Sequence, residues 1–255
     1  MIRTIGLTGQ NGNGVRRTTE QLGSYSVIEY DHDISVNKAE AIQAYFAAQM
    51  NIRKRQLKID MNNSGVVIQS GAMQWFGGNI DMVADVRGAG DLIGKMFSAK
   101  VTGETAIKPK YKGTGILVLE PTYKHILLED LSKWNGALVI EDGLFLACDE
   151  SVQMKVVARS NLSSAIAGGE GLFNNCLTGK GIVALESPVP RNELIEIELE
   201  NDVVKIDGNY AIAWSNTLQF TVERSAKSLI GSAASGEGLV NVYRGTGRVL
   251  MAPVG

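Results

Sequence analysis

GETAIKPKYKGTGILVLEP from Gly103 to Pro121, GEGLFNNCLTGKGIVALESP from Gly169 to Pro188 and GEGLVNVYRGTGRVLMAP from Gly236 to Pro253 are three versions of one pattern. Each opens on Gly-Glu, runs through an apolar strand, passes Gly-x-Gly and stops at or near proline. The Gly-x-Gly pairs are Gly113 and Gly115, Gly179 and Gly181, and Gly245 and Gly247. Their second members are 66 residues apart, twice over. A fixed period of this length indicates one compact module used three times. Glycine takes positive φ without a Cβ clash, so the pairs read as structural turn glycines making tight reversals between strands. A phosphate-cradling loop would need a longer glycine pattern opening a helix, whereas β-branched residues follow here.

A second turn precedes each ending. Gly71 in VVIQSGAMQW, Gly143 in LVIEDGLFLA and Gly208 in VKIDGNYAIAW each separate two strand-like runs, the second carrying Met73, Phe145 or Tyr210. The gap to Gly-x-Gly is longer in the first copy, which places its extra residues as a loop between Phe76 and Lys95. Period-two alternation runs through Leu57, Ile59 and Met61, then Val152, Met154, Val156 and Ala158, broken by Val157. It returns at Ile195, Ile197 and Leu199 and at Leu218, Phe220 and Val222. Such alternation marks antiparallel strands with one wet face. The expectation is an all-β chain, with a leader and helix over 1–56 and repeats over 57–122, 123–189 and 190–255.

One segment keeps a helical period. Asn37 and Glu40 form a capping box ahead of Ala39, Ile42, Phe46 and Met50, which predicts an amphipathic helix from Lys38 to Met50. The basic cluster Arg53, Lys54, Arg55 and Lys58 has no interleaved aromatics and reads as a solvated strand edge. Gly9, Gly12 and Gly14 lie in what reads as a mobile leader, since no Lys-Ser/Thr completes a phosphate loop.

Composition narrows the function classes. The 255 residues hold 25 Lys and Arg against 27 Asp and Glu, a net charge of −2, so affinity does not come mainly from attracting phosphates or anionic lipid. Two cysteines and two histidines leave almost nothing for a metal cage or disulfide framework. Cys148 and Cys176, without a CxxC pair, read as reduced thiols of a cytoplasmic protein, a lone disulfide being the alternative. No apolar run reaches the ~18–20 residues of a membrane span and no secretory signal opens the chain.

The Gly-Glu … Gly-x-Gly endings, LFLA at Leu144 to Ala147, AIAW at Ala211 to Trp214 and GAMQWFGGNI from Gly71 to Ile80 resemble the altered-inheritance-of-mitochondria family numbered twenty-four. The resemblance covers roughly Leu57 to Pro253. It implies a fold similar to the tryptophan RNA-binding attenuation protein (TRAP-like): antiparallel β-sandwich repeats, three in this chain, in a pseudo-threefold arrangement. The family includes a mitochondrial inner-membrane member implicated in organising respiratory-chain and cristae assemblies. No RNA-binding or tryptophan-binding residue matches position by position.

Three sharper functions compete with a plain one. For catalysis, His32 and His125 have no sequence-near partner, and neither GxSxG nor HExxH occurs, so no enzyme, catalytic residue or cofactor is expected. For RNA or small-ligand binding, the alternative reading, electropositive grooves with stacking platforms are required, and aromatics are only 6%. Glu104, Glu170 and Glu237 hold one place in the three copies and could converge as a cation site; the plainer role is to accept bonds from their own glycine turns. What remains is a non-catalytic scaffold that meets a protein partner or self-associates as a homo-oligomer.

Overall fold

The computed structural model describes Thr4, Leu7 and residues 15–83, 108–158, 173–224 and 239–254. Among them are fifteen strands and one α-helix, so the protein is all-β as the alternation implied. The strands form two curled antiparallel sheets. The first comprises β1 (Arg16–Leu22), β2 (Tyr25–Tyr30), β3 (Arg55–Ile68), β4 (Met73–Val83), β5 (Lys110–Leu119), β6 (His125–Asp130), β8 (Phe145–Asp149) and β11 (Ile182–Ser187). The second comprises β7 (Ala137–Ile140), β9 (Gln153–Ala158), β10 (Phe173–Thr178), β12 (Ile195–Asp207), β13 (Ala211–Ser215), β14 (Gln219–Arg224) and β15 (Leu239–Met251).

The three thirds pair their strands in the same order. In each, the stretch carrying Gly-x-Gly lies between the two stretches that flank Gly71, Gly143 or Gly208. Thus β5 pairs β3 and β4, β15 pairs β12, β13 and β14, and in the middle third β11 pairs β6 and β8 while β10 pairs β7 and β9. Two irregularities recur in register. Asn63, Asn135 and Asn201 all sit at positive φ (46°, 54° and 53°) where the first strand bulges or breaks opposite Gly-x-Gly. Gln74, Leu146 and Ile212 are each skipped by the pairing of the second strand. Asparagine tolerates this conformation better than most residues because its short amide can bond locally. Here a threonine closes the bulge: the Asn63 N–H donates to Thr114 Oγ1 at 2.9 Å and the Asn201 N–H to Thr246 Oγ1 at 3.0 Å.

The Gly-x-Gly pairs take positive φ throughout but do not make the expected reversals. β5 runs straight through Gly113-Thr114-Gly115, and β15 through Gly245-Thr246-Gly247. Only at Gly179 and Gly181 does the strand break, and there the chain passes from β10 in one sheet to β11 in the other. The requirement for glycine is close approach. A Cβ on Gly113 would lie 1.9 Å from the Asn79 carbonyl oxygen, and one on Gly115 would lie 2.0 Å from that of Gly77. Glycine serves a bulged crossing as readily as a turn, so the sequence signal was compatible with both.

The apolar clusters cross from one third to the next. One gathers Leu57, Ile59, Leu117 and Leu119 with Ile126, Leu128 and Ala147; a second gathers Leu131, Trp134, Leu138 and Leu177 with Ile212 and Leu250; a third gathers Trp214, Tyr243 and Val249 with Val139 and Cys176. Trp214 packs its ring 5.4 Å from Phe220 and 5.2 Å from Tyr243, distances at which aromatic pairs attract.

Two strands occupy part of the stretch expected as leader, Arg16–Leu22 and Tyr25–Tyr30. β1 and β2 form a hairpin turning at Gly23 (φ 55°), and β2 pairs β3 from Tyr25↔Ile59 to Glu29↔Arg55. β2 is buried on both faces, so it lacks the alternation that betrays a half-wet strand. Gly9, Gly12 and Gly14 lie outside the described residues. The loop expected between Phe76 and Lys95 is strand as far as Val83, and the remainder is outside the described residues. In β9, Val156 is 51% exposed while Val157 packs on the third cluster, the reverse of the expected face. Tyr210, expected in a strand, lies in the turn before β13 and is 41% exposed.

Candidate functional site

Residues 31–54 lie between two strands of the first sheet. The Asn37 side chain accepts from the backbone N–H groups of Ala39 and Glu40, and α1 spans Ala41–Gln49, three residues later than expected at its start. None of its residues is buried. Ile42 is 70% exposed, Phe46 63% and Met50 76%, so the stripe that predicted a core face is displayed instead. The helix is apolar on nearly every side, a pattern that in a globular protein ordinarily means enclosure.

Arginines hold this helix where apolar packing does not. Arg53 Nε donates to the Ala48 carbonyl and its Nη1 to Asp31 at 3.1 Å. The Arg55 guanidinium donates to the backbone oxygens of Asn51 and Arg53 and to Asn51 Oδ1, and pairs with Glu29 Oε2 at 2.7 Å. Arg55 is 3% exposed and Glu29 5%. Burial lowers the Arg55 pKa below the usual guanidinium value, with Glu29 opposing. Arg17 adds ion pairs to Glu29 at 2.9 Å and Asp31 at 3.2 Å. Lys54 bonds Asp33, which together with Ser35 holds that carboxyl down at about 2. The expected solvated edge is therefore a clamp: β3 has partners on both sides, and these cations answer carboxylates of the β2 strand and the turn after it. Lys58, further along, pairs with Asp60.

Between α1 and the hairpin lies a groove of about 760 Å³. Ala41, Ala44, Tyr45 and Ala48 form its helical wall, with Arg17, Asp31 and Arg53 on the sheet side; Ile42 and Phe46 do not line it. His32 lines the groove beside Asp31 and Asp33. A neighbouring cleft holds His125 with Arg55 and Glu29, and burial, then the Arg55 charge, lowers the His125 pKa to about 4. The two histidines are thus on separate surfaces. Among the described residues no group of three His, Cys, Asp or Glu is placed to hold a metal. Glu104, Glu170 and Glu237 lie outside the described residues. Cys148 and Cys176 are buried and free, and burial pushes the Cys148 thiol up to about 12. No described helix is long and apolar enough to cross a membrane.

Sequence reasoning missed the Arg55–Glu29 clamp, since a run of three cations ordinarily faces water. The available signal was Glu29, Asp31 and Asp33, an acidic triplet at two-residue spacing that matches Arg53 to Arg55 in charge.

The class these features define is an all-β protein of two curled sheets with one displayed helix. The chain belongs to the family described as Mitochondrial biogenesis AIM24, whose model matches residues 48–254. An uncharacterised protein of Streptococcus pyogenes serotype M6 is 30% identical over 202 residues, 76% of this chain and 79% of that protein. A crystal structure of another Streptococcus pyogenes protein superimposes with a TM-score of 0.58 at 26% identity, covering 80% of this chain and 90% of that one.

Proposed function

We propose that this protein is a non-catalytic scaffold whose three related β units form a rigid body and whose α1 is a docking platform for a protein partner. The observation that carries the reading is α1 itself: nine residues, none buried, fixed by the buried Arg55 and by Arg53, displaying Ile42, Phe46 and the adjoining Met50. Exposed apolar clusters on a fixed element are what protein interfaces use as anchors. The cations beside the platform are engaged by Glu29, Asp31 and Asp33, which supports a neutral apolar partner over a phosphate-bearing one. A cytoplasmic setting belongs to the same reading, supported by two buried free thiols.

Cross-linking capture from the source cells, comparing wild type with the Ile42→Gln/Phe46→Gln double variant, tests it. The partner set of the wild type is lost in the variant. An identical set in both, or salt-sensitive binding to single-stranded RNA, contradicts the reading and favours the RNA alternative.

A further inference from the structure

Neighbouring thirds are joined by one kind of junction, used twice. The first strand of the first third pairs the second strand of the middle third: Val66↔Asp149, Val67↔Cys148 and Ile68↔Ala147. The first strand of the middle third pairs the second strand of the last third in the same way: Leu138↔Ser215, Val139↔Trp214 and Ile140↔Ala213. The flanking hydrogen bonds also match. The Gln69 N–H donates to the Leu146 oxygen and the Glu150 N–H to the Gly65 oxygen; correspondingly Glu141 donates to Ile212 and Asn216 to Ala137. Both junctions begin three residues after a left-handed asparagine, Asn63 or Asn135, and one residue after the skipped Leu146 or Ile212.

A junction that joins unlike edges leaves one of each at the ends of the row. The last third has an Asn201 and, three residues on, Val204, Lys205 and Ile206 in β12. The first third has a skipped Gln74 followed by Trp75, Phe76 and Gly77 in β4. β12 meets only β15 and β4 meets only β5, so both edges are open among the described residues. A threefold ring closed within the chain would have joined them. The β12 edge bears the mark of an unfilled ladder, since the Val203 N–H is taken by its neighbour Asp202 Oδ1 at 2.8 Å. Val203 is 45% exposed and Phe76 39%.

We infer that a second copy of this chain docks β4 against β12 by repeating the internal junction, giving head-to-tail assembly. The register follows by equivalence: Val204 opposite Gly77, Lys205 opposite Phe76 and Ile206 opposite Trp75. Asp207 donates its backbone N–H to the Gln74 oxygen and Gly78 donates to the Val203 oxygen. Main-chain bonds supply the affinity of such strand addition, and side chains its register. Because the two edges differ, association propagates into a ring or a filament. This site is remote in sequence from α1 and goes beyond the scaffold reading; either can fail alone.

Sedimentation velocity on the full chain from 1 to 100 μM is the test. Wild type forms dimers and larger species. By the equivalences above, the Lys205 N–H points away from β15, so Lys205→Pro removes an outward donor at an edge position where proline is tolerated. It weakens association at least about tenfold. Phe76→Lys does the same by placing like charges opposite each other, whereas Phe76→Glu opposite Lys205 retains assembly. Circular dichroism identifies folded variants, and the Phe76 pair decides the matter should the proline variant not fold. A wild type that stays monomeric at 100 μM overturns the inference and leaves the α1 reading standing. Assembly indifferent to all three substitutions, or lost only in Ile42→Gln/Phe46→Gln, also overturns it.

Discussion

Arg55 offers the sharpest quantitative prediction. Its side chain is 4% exposed and that of Glu29 is 7%. Arg55→Met removes the 2.7 Å pair and the bonds to the Asn51 and Arg53 oxygens. Breaking a buried ion pair costs ~3–5 kcal/mol because the surviving charge stays desolvated. Glu29 retains Arg17 at 2.9 Å, so the lower end, about 3 kcal/mol, applies. For a chain of this size that corresponds to a fall of about 6–12 °C in Tm by calorimetry. Hydrogen exchange over 41–52 should quicken beyond the rest of the chain, because the turn that follows α1 loses the donor to its Asn51 oxygens. A double-mutant cycle with Glu29→Gln should give less than additive losses. A variant melting within 2 °C of wild type, or an additive cycle, refutes the clamp.

Close packing and burial elsewhere in the chain have measurable consequences too. Gly113→Ala, whose Cβ would meet the Asn79 oxygen at 1.9 Å, should destabilise well beyond Gly71→Ala, which meets nothing within 4 Å and bears only the ~1–2 kcal/mol of positive φ; urea midpoints compare them. His125 is held near 4 against 6.5 unfolded, so its contribution is whole above pH 6.5 and is lost as pH falls towards 4. Partial exposure limits the loss to about 1–2 kcal/mol, and His125→Gln should flatten stability between pH 6.5 and 5. Glu20, raised by desolvation, opposes that slope. Native protein should titrate no thiol with an aromatic disulfide reagent and two after unfolding, given the burial of Cys148 and Cys176.

Legibility tracked how evenly a segment shares itself between core and water. β3 shows its alternation as Leu57, Ile59 and Met61 inside and Asp60 outside, and was plain in the sequence. β2, buried on both faces and carrying Glu29 inwards, was not. The helix was legible as a helix, but its period says only that one stripe is apolar. Whether the stripe meets a core depends on the clamp, which long-range charge pairing builds. Likewise the 66-residue spacing exposed the positions that demand glycine, while the continuity of β5 and β15 through them depends on partner strands far away in sequence. The recurring Asn63, Asn135 and Asn201 were present as a signal, disguised by a first interval six residues longer than the second.

Hydroxyl-radical footprinting of Ile42, Phe46 and Met50, in purified dilute protein and again inside the source cells, reaches the displayed helix most directly. All three should oxidise fast in isolation and be markedly protected in the cell, with Trp214 slow in both. Slow oxidation in isolation, or equal reactivity in the two settings, would contradict the docking role of α1.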